Sequence, residues 1–107
     1  MPDPSSGRLA RAFVGMSIHP RVANFNMRQM GMLMLLDSSG RLEVKDIARA
    51  VQCSKPVVTR AASTFEAAGL ARRVKHDDDL RRCSIELTAR GHETAQQLVR
   101  TMGVACG

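Results

Sequence analysis

No stretch of this sequence is apolar for long: the longest run, Met30 to Leu36, contains a glycine and falls far short of a bilayer's width. The N-terminus has no apolar signal core either, so the chain is expected in the cytoplasm without a membrane partner. Its three cysteines, Cys53, Cys83 and Cys106, form an odd set without zinc-type spacing. That argues against a secreted disulfide framework and for reduced thiols. No nucleophile stands beside a base, no paired carboxylates are visible, and His19, His76 and His92 are scattered. The chain is therefore expected not to be an enzyme and to carry neither cofactor nor metal. His76 lies beside acidic residues that could hold a cation, but a surface loop histidine accounts for it without one.

A chain of 107 residues forms one domain with a single modest core and has no room for a separate ligand or catalytic domain. Its net charge of +6, mostly from arginine, favours phosphate backbones as partner. The 16 basic residues are spread over the whole sequence, so charge by itself also fits an evenly solvated surface.

Residues 1–7 hold two prolines, two serines and a glycine without periodicity and read as a disordered tail. Over residues 8–17, Leu9, Ala12, Phe13 and Met16 recur at helical spacing, predicting a short amphipathic helix that stops before His19-Pro20. Asn26 is a candidate N-cap for a second helix running to about residue 36, with Met27, Met30, Leu33 and Met34 on one stripe and Met32 and Leu35 opposite. Such a helix must be covered on two sides, either as the central core helix or against another subunit. The five methionines between Met16 and Met34 fit flexible core packing better than a ligand-adapting pocket. A short strand over 41–43 leads to a third helix over 44–52, where Val44, Ile47, Ala48 and Val51 share one face. Cys53 follows in an apolar turn position, and burial as a small hydrophobe is its default; only Cys83, beside Arg81 and Arg82, has the nearby charge a thiol sensor needs.

Ser54 suits an N-cap, its hydroxyl taking up an orphan backbone N–H, and Pro56 is tolerated in the first turn of a fourth helix. That helix runs over residues 54–68 to Gly69, a residue type that accepts a left-handed turn. At about 100° per residue, Val58, Ala61, Ala62 and Phe65 fall on a packing face and Pro56, Thr59, Arg60 and Ser63 on the opposite, outward face. A face of small residues and one arginine is narrow enough for a groove about 12 Å wide. Two strands over 70–75 and 82–87, joined by residues 76–81, make a hairpin, with the wing at about 71–87. Thr88 caps a last helix over 88–102, with Ala95, Val99 and Met102 on one side and Gly103 at its end. Residues 8–102 thus read as one α+β winged helix-turn-helix domain.

In order and spacing, Ile47-Ala48, Ser54, Thr59-Arg60, Gly69-Leu70, Arg73, Asp79-Leu80-Arg81 and Leu87-Thr88-Ala89-Arg90-Gly91 resemble the DNA-binding lobe of the multiple-antibiotic-resistance-regulator (MarR) family of bacterial transcription factors. The resemblance covers about half of the chain, residues 37–91. It implies a regulator of transcription, expected to repress by blocking polymerase, that binds double-stranded DNA as a homodimer. The helix at 54–68 becomes the recognition helix, with Ser54, Lys55, Pro56, Thr59 and Arg60 as groove and phosphate contacts and Arg60 as base reader through its fork. Arg81 is expected in the minor groove with Asp79 bracing it, and Ser63, Lys75 and Arg82 complete the expected DNA-binding set. Two readings without DNA compete: Arg60 pairs with Glu66 or a wing aspartate, or the wing is an acidic turn neutralised by Arg72, Arg73 and Arg82.

The sequence departs from the family's pattern in three places. Gln52 stands where the family commonly has glycine, which predicts a turn that is slightly strained or differently shaped. Asp77 and Asp78 are unfavourable near phosphates and should point away or weaken binding. The last helix has about four turns, which argues against effector sensing in the family's usual pocket. A dimer is expected from the first helix, the back of the second and the last. The alternative function is a protein-interaction module, an antirepressor or co-regulator with little DNA binding of its own.

Overall fold

The structure, a computed structural model, describes residues 4–103. Helix α1 spans Pro4–Ser17, α2 Met27–Ser39, α3 Val44–Ala50, α4 Lys55–Ala67 and α5 Ala89–Met102; the strands are β1 Leu42–Glu43, β2 Ala71–His76 and β3 Asp79–Leu87. The strands form one antiparallel sheet in the order β1-β3-β2. This is the winged helix-turn-helix that the sequence predicts.

The tail expected over residues 1–7 is corrected from residue 4 onward, because α1 already begins at Pro4; residues 1–3, like Cys106, lie outside the described residues. Proline fits a first helical turn, where no donor is needed and its φ is preset. Periodicity could not reveal that turn, because residues 4–7 are a proline, two serines and a glycine, with no aliphatic or aromatic residue to mark a helical stripe.

Helix α2 opens on a capping box: Gln29 N–H donates to Asn26 Oδ1 at 2.7 Å, and Asn26 N–H donates to Gln29 Oε1 at 3.0 Å. It runs to Ser39, beyond the expected end, and stops at Gly40, whose φ is 76°. Its buried stripe is Met32, Leu33 and Leu36, while Met27 is 76% exposed, so the stripe predicted from Met27 is rotated. The reason is tertiary: α2 packs on both α5 and β3, and a helix apolar nearly all round turns whichever side those partners cover.

Helix α3 ends at Ala50, short of the predicted end, because the chain turns at Gln52 with φ 55° and Cys53 N–H donates back to Ala48 C=O at 3.0 Å. Helix α4 buries Val58, Ala61, Ala62 and Phe65, as predicted, and Phe65 meets Phe25 with ring centroids 5.4 Å apart. Such aromatic pairs anchor a core by area and by edge geometry.

A tight joint links the wing to α5. Thr88 N–H donates to Leu70 C=O at 2.9 Å, and the Thr88 hydroxyl donates to Gly69 C=O at 2.7 Å while accepting Gly91 N–H at 3.1 Å. A Cβ on Gly91 would lie 2.0 Å from Leu70 O, so only glycine fits there. The Leu87-Thr88-Ala89-Arg90-Gly91 stretch is therefore a mechanical joint. It fixes the hairpin's root against α4's end.

The hairpin itself is tighter than expected. The loop predicted over 76–81 shrinks to Asp77-Asp78, and β3 starts at Asp79. Aspartates suit such a turn because their side chains satisfy nearby backbone donors. The register jumps from Lys75↔Cys83 to His76↔Asp79, so residues 80–82 bulge out of the ladder. His76 consequently sits on a strand, with Nε2 2.8 Å from the Ser84 hydroxyl, rather than in a loop.

Candidate nucleic-acid interface

The outward face of α4 stands clear of the fold: Ser54, Lys55, Pro56, Thr59 and Arg60 are all exposed. Small side chains leave that face shallow, and the opposite face anchors it in the core. Ser54 occupies the N-cap position with extended backbone but makes no side-chain cap bond, contrary to expectation. Its carbonyl instead accepts Val57 N–H at 3.1 Å and Val58 N–H at 3.3 Å, so the first helical bonds close without the hydroxyl. No described carboxylate pairs with Arg60, because Glu66 is taken by Arg73, with Nε to Oε1 at 3.1 Å.

Arg73 reaches Ser63. Its Nη2 donates to Thr59 C=O at 2.9 Å and to the Ser63 hydroxyl, which itself donates to Thr59 C=O at 3.2 Å. Ser63 is thereby engaged within the protein while its residue stays exposed. The guanidinium forms a clamp from β2 to α4, holding the helix on the sheet.

On the wing, Asp79 Oδ1 accepts Arg81 N–H at 2.9 Å and lies 3.6 Å from Arg81 Nε, while the Arg81 side chain is 95% exposed. The aspartate shapes the bulge and the arginine projects into solvent. Arg82 is held by carboxylates of its own chain. Its Nε donates to Glu43 Oε1 at 2.9 Å, its Nη2 donates to the same oxygen, and its Nη1 lies 3.7 Å from Asp78. Lys75 is exposed and pairs in register with Cys83. Of the cations expected to neutralise the wing only Arg82 meets a wing aspartate, since Arg72 pairs with Glu86 at 2.7 Å and Arg73 with Glu66.

Lys55, Thr59, Arg81, Arg82 and Cys83 converge with Glu43 and Lys45 around a cleft of about 350 Å³ between α4 and the hairpin. Arg60 instead faces a groove of about 650 Å³ beside α2, together with Arg28 and Asn26. Sequence reasoning missed Lys45, Arg28 and Glu43. Lys45 was findable as a cation in the first turn of a helix preceding the recognition helix, whereas Glu43 required the fold. The Glu43 carboxyl is held below its ordinary value of 4.5, chiefly by the Arg82 hydrogen bond and further by the charges of Arg82 and Lys45. Glu86 is likewise lowered, by hydrogen bonds from Arg72 and then Arg41. The Arg82 guanidinium is raised by the same Glu43 hydrogen bond.

Away from this surface, Phe13, Met16, Phe25, Met30, Met34 and Met102 line an apolar pocket of about 490 Å³. Among the described residues there is no cluster of His, Cys, Asp and Glu that could hold a metal ion, and no helix is long and apolar enough to cross a membrane.

The model of the MarR family matches residues 25–83. The HTH-type transcriptional regulator FarR of Neisseria gonorrhoeae is 30% identical over 76 residues, 71% of this chain and 52% of FarR. The chain thus spans about half the length of the curated relative it matches. Similar solved structures include FabT of Streptococcus pneumoniae in complex with DNA, with TM-score 0.78 and 15% identity over 94% of this chain and 70% of FabT. Another is the S. aureus MepR–DNA complex, with TM-score 0.75 and 22% identity over 94% of this chain and 80% of MepR. At these identities the two structures speak for the fold.

Proposed function

The chain belongs to the MarR family, and on that premise we propose that it is a cytoplasmic transcriptional regulator that binds double-stranded DNA and represses by occupying sites polymerase needs. One observation carries this reading: α4 leaves Lys55, Pro56, Thr59 and Arg60 uncovered while its other face is core, and the hairpin sets Arg81 across a cation-lined cleft from Lys55 and Thr59. Helix α4 enters the major groove, where the Arg60 fork matches guanine O6 and N7. Arg81 enters the minor groove, whose negative potential rises where it narrows, so its contribution follows DNA shape. Ser54 and Lys55 meet phosphate at the helix N-terminus. Nothing in this role calls for catalysis or a cofactor. A second copy packs against α1, giving two recognition helices that read half-sites about one DNA turn apart.

A salt titration with a pool of random duplexes, followed by sequencing of the retained DNA, tests the reading. Binding should fall by about a thousandfold or more between about 50 and 200 mM salt if some six phosphates are contacted. The Arg60→Ala variant should lose about 1–3 kcal/mol of discrimination at one base position. Unchanged preference would remove Arg60 from base readout. The sequestration of Arg82 by Glu43 and Asp78 favours a second reading, a protein-interaction module. No duplex binding at low salt together with a tight protein partner would establish that reading instead.

A further inference from the structure

The cleft between α4 and the wing contains a carboxylate where a nucleic-acid partner would place a phosphate. Glu43 occupies the N-cap position of α3, yet its side chain makes no cap bond. It turns instead into the cleft, accepting from Arg82 Nε at 2.9 Å and from Arg82 Nη2, with Lys45 Nζ 3.5 Å away. Among the cleft's lining residues Glu43 is the one carboxylate facing four cations, Lys45, Lys55, Arg81 and Arg82. Its side chain is 16% exposed, whereas those of Lys45 and Arg82 keep 56% and 42% of their surface in solvent. The carboxylate is held from below while the cations remain reachable from outside. A carboxylate and a phosphate present similar acceptor pairs to a guanidinium, so the two compete for one seat.

We propose that Glu43 is an internal counter-ion that sets the chain's affinity for duplex DNA by occupying the phosphate-binding groups of Arg82 and Lys45. The inference rests on the DNA-binding reading above. A cation already neutralised within the protein adds little to counterion release when DNA arrives, so the present chain binds with a shallower salt dependence than its lysines and arginines allow. The lowered Glu43 carboxyl agrees with a carboxylate that stays ionised and engaged.

The test uses the full chain as wild type, Glu43→Gln, Arg82→Gln and the double variant, each titrated with the random duplex pool across salt and eluted from heparin as a generic polyanion. Glu43→Gln should bind about tenfold tighter at low salt and steepen the slope of log K against log salt by about 1 to 2, roughly 0.9 per freed cation. Arg82→Gln alone should weaken binding, since it bares the Glu43 carboxylate, but by less than in the Glu43→Gln background, where it should erase most of the gain. Arg82→Gln weakening binding equally in both backgrounds, or an unaltered slope in Glu43→Gln, would overturn the proposal. If wild type binds no duplex, the DNA reading fails separately. In that case later heparin elution of Glu43→Gln, reversed by Arg82→Gln, still supports the counter-ion, and unaltered elution overturns it. Should Glu43→Gln fail to fold, Glu43→Asp replaces it, since aspartate caps α3 well and its shorter arm draws the carboxylate from Arg82. The affinity should then rise in the same direction, and no rise sinks the proposal.

Discussion

Gly91 and Gln52 show how much one backbone position can decide. The space of a Gly91 side chain is filled by Leu70 O, which also accepts Thr88 N–H, so Gly91→Ala must push α5 off the joint that caps it. The expected loss is about 3 kcal/mol, seen as a lower denaturant midpoint at unchanged slope. An unaltered midpoint would mean that the joint yields freely. Gln52 is the positive-φ residue other than glycine among those described, at φ 55° in the turn that launches α4. Left-handed backbone costs a side-chain-bearing residue about 1–2 kcal/mol and glycine much less, with about 0.5–1 kcal/mol of glycine entropy set against it. Gln52→Gly should therefore stabilise by up to about 1 kcal/mol, and a fall in melting temperature would refute the strain. That strain was legible, because a glycine position filled by glutamine is a local anomaly. The contacts of Ser63 and Arg82 were not, because their partners Arg73 and Glu43 come from other elements and no local pattern announces them.

The helices were legible where periodicity and capping agreed, as in α4, whose buried Val58, Ala61, Ala62 and Phe65 follow from spacing. The wing was legible in outline only: its turn, bulge and ion pairs depend on cross-strand register, which residue types leave open. Those ion pairs make the sheet sensitive to acid. Glu43 and Glu86 both titrate below their ordinary value of 4.5 in the folded chain, so the stability they add is complete above that value and is lost as pH falls through their lowered folded values. Wild type should exceed Glu86→Gln in urea stability at neutral pH. The gap should close as the pH drops below the ordinary carboxylate range, and a constant gap would show that Glu86 acts by packing. The clamp from β2 to α4 has a separate signature. Arg73→Lys keeps the charge but loses the fork whose Nη2 reaches Thr59 C=O and Ser63 while Nε faces Glu66, so α4 should loosen by about 1–2 kcal/mol, read as faster amide exchange in its second half.

At the scale of the whole molecule, the exposed large hydrophobic residues gather near the start of the chain. Leu9, Phe13, Val14 and Ile18 are 49%, 46%, 61% and 72% exposed on and just after α1, and Met27 follows at 76%. Helix α1 uses Ala12 and Met16 to pack inward and is drawn against α5 closely enough that a Cβ on Gly15 would lie 2.8 Å from Thr101 Cγ2. Its other large apolar residues keep about half or more of their surface uncovered by the described residues, and side chains of this size left together in water favour association. A second copy of α1 satisfies both helices at once, because a two-fold interface presents one patch to itself. The expected species is a dimer whose recognition helices engage two half-sites, and linking them raises the local concentration of the second site to about millimolar. Phe13→Asp should yield a folded monomer by sedimentation equilibrium, with affinity for a paired site reduced by about a hundredfold or more and affinity for a single half-site unchanged. A wild-type chain that sediments as a monomer at every concentration, with Phe13→Asp binding paired sites as tightly, would mean that α1 meets some other surface.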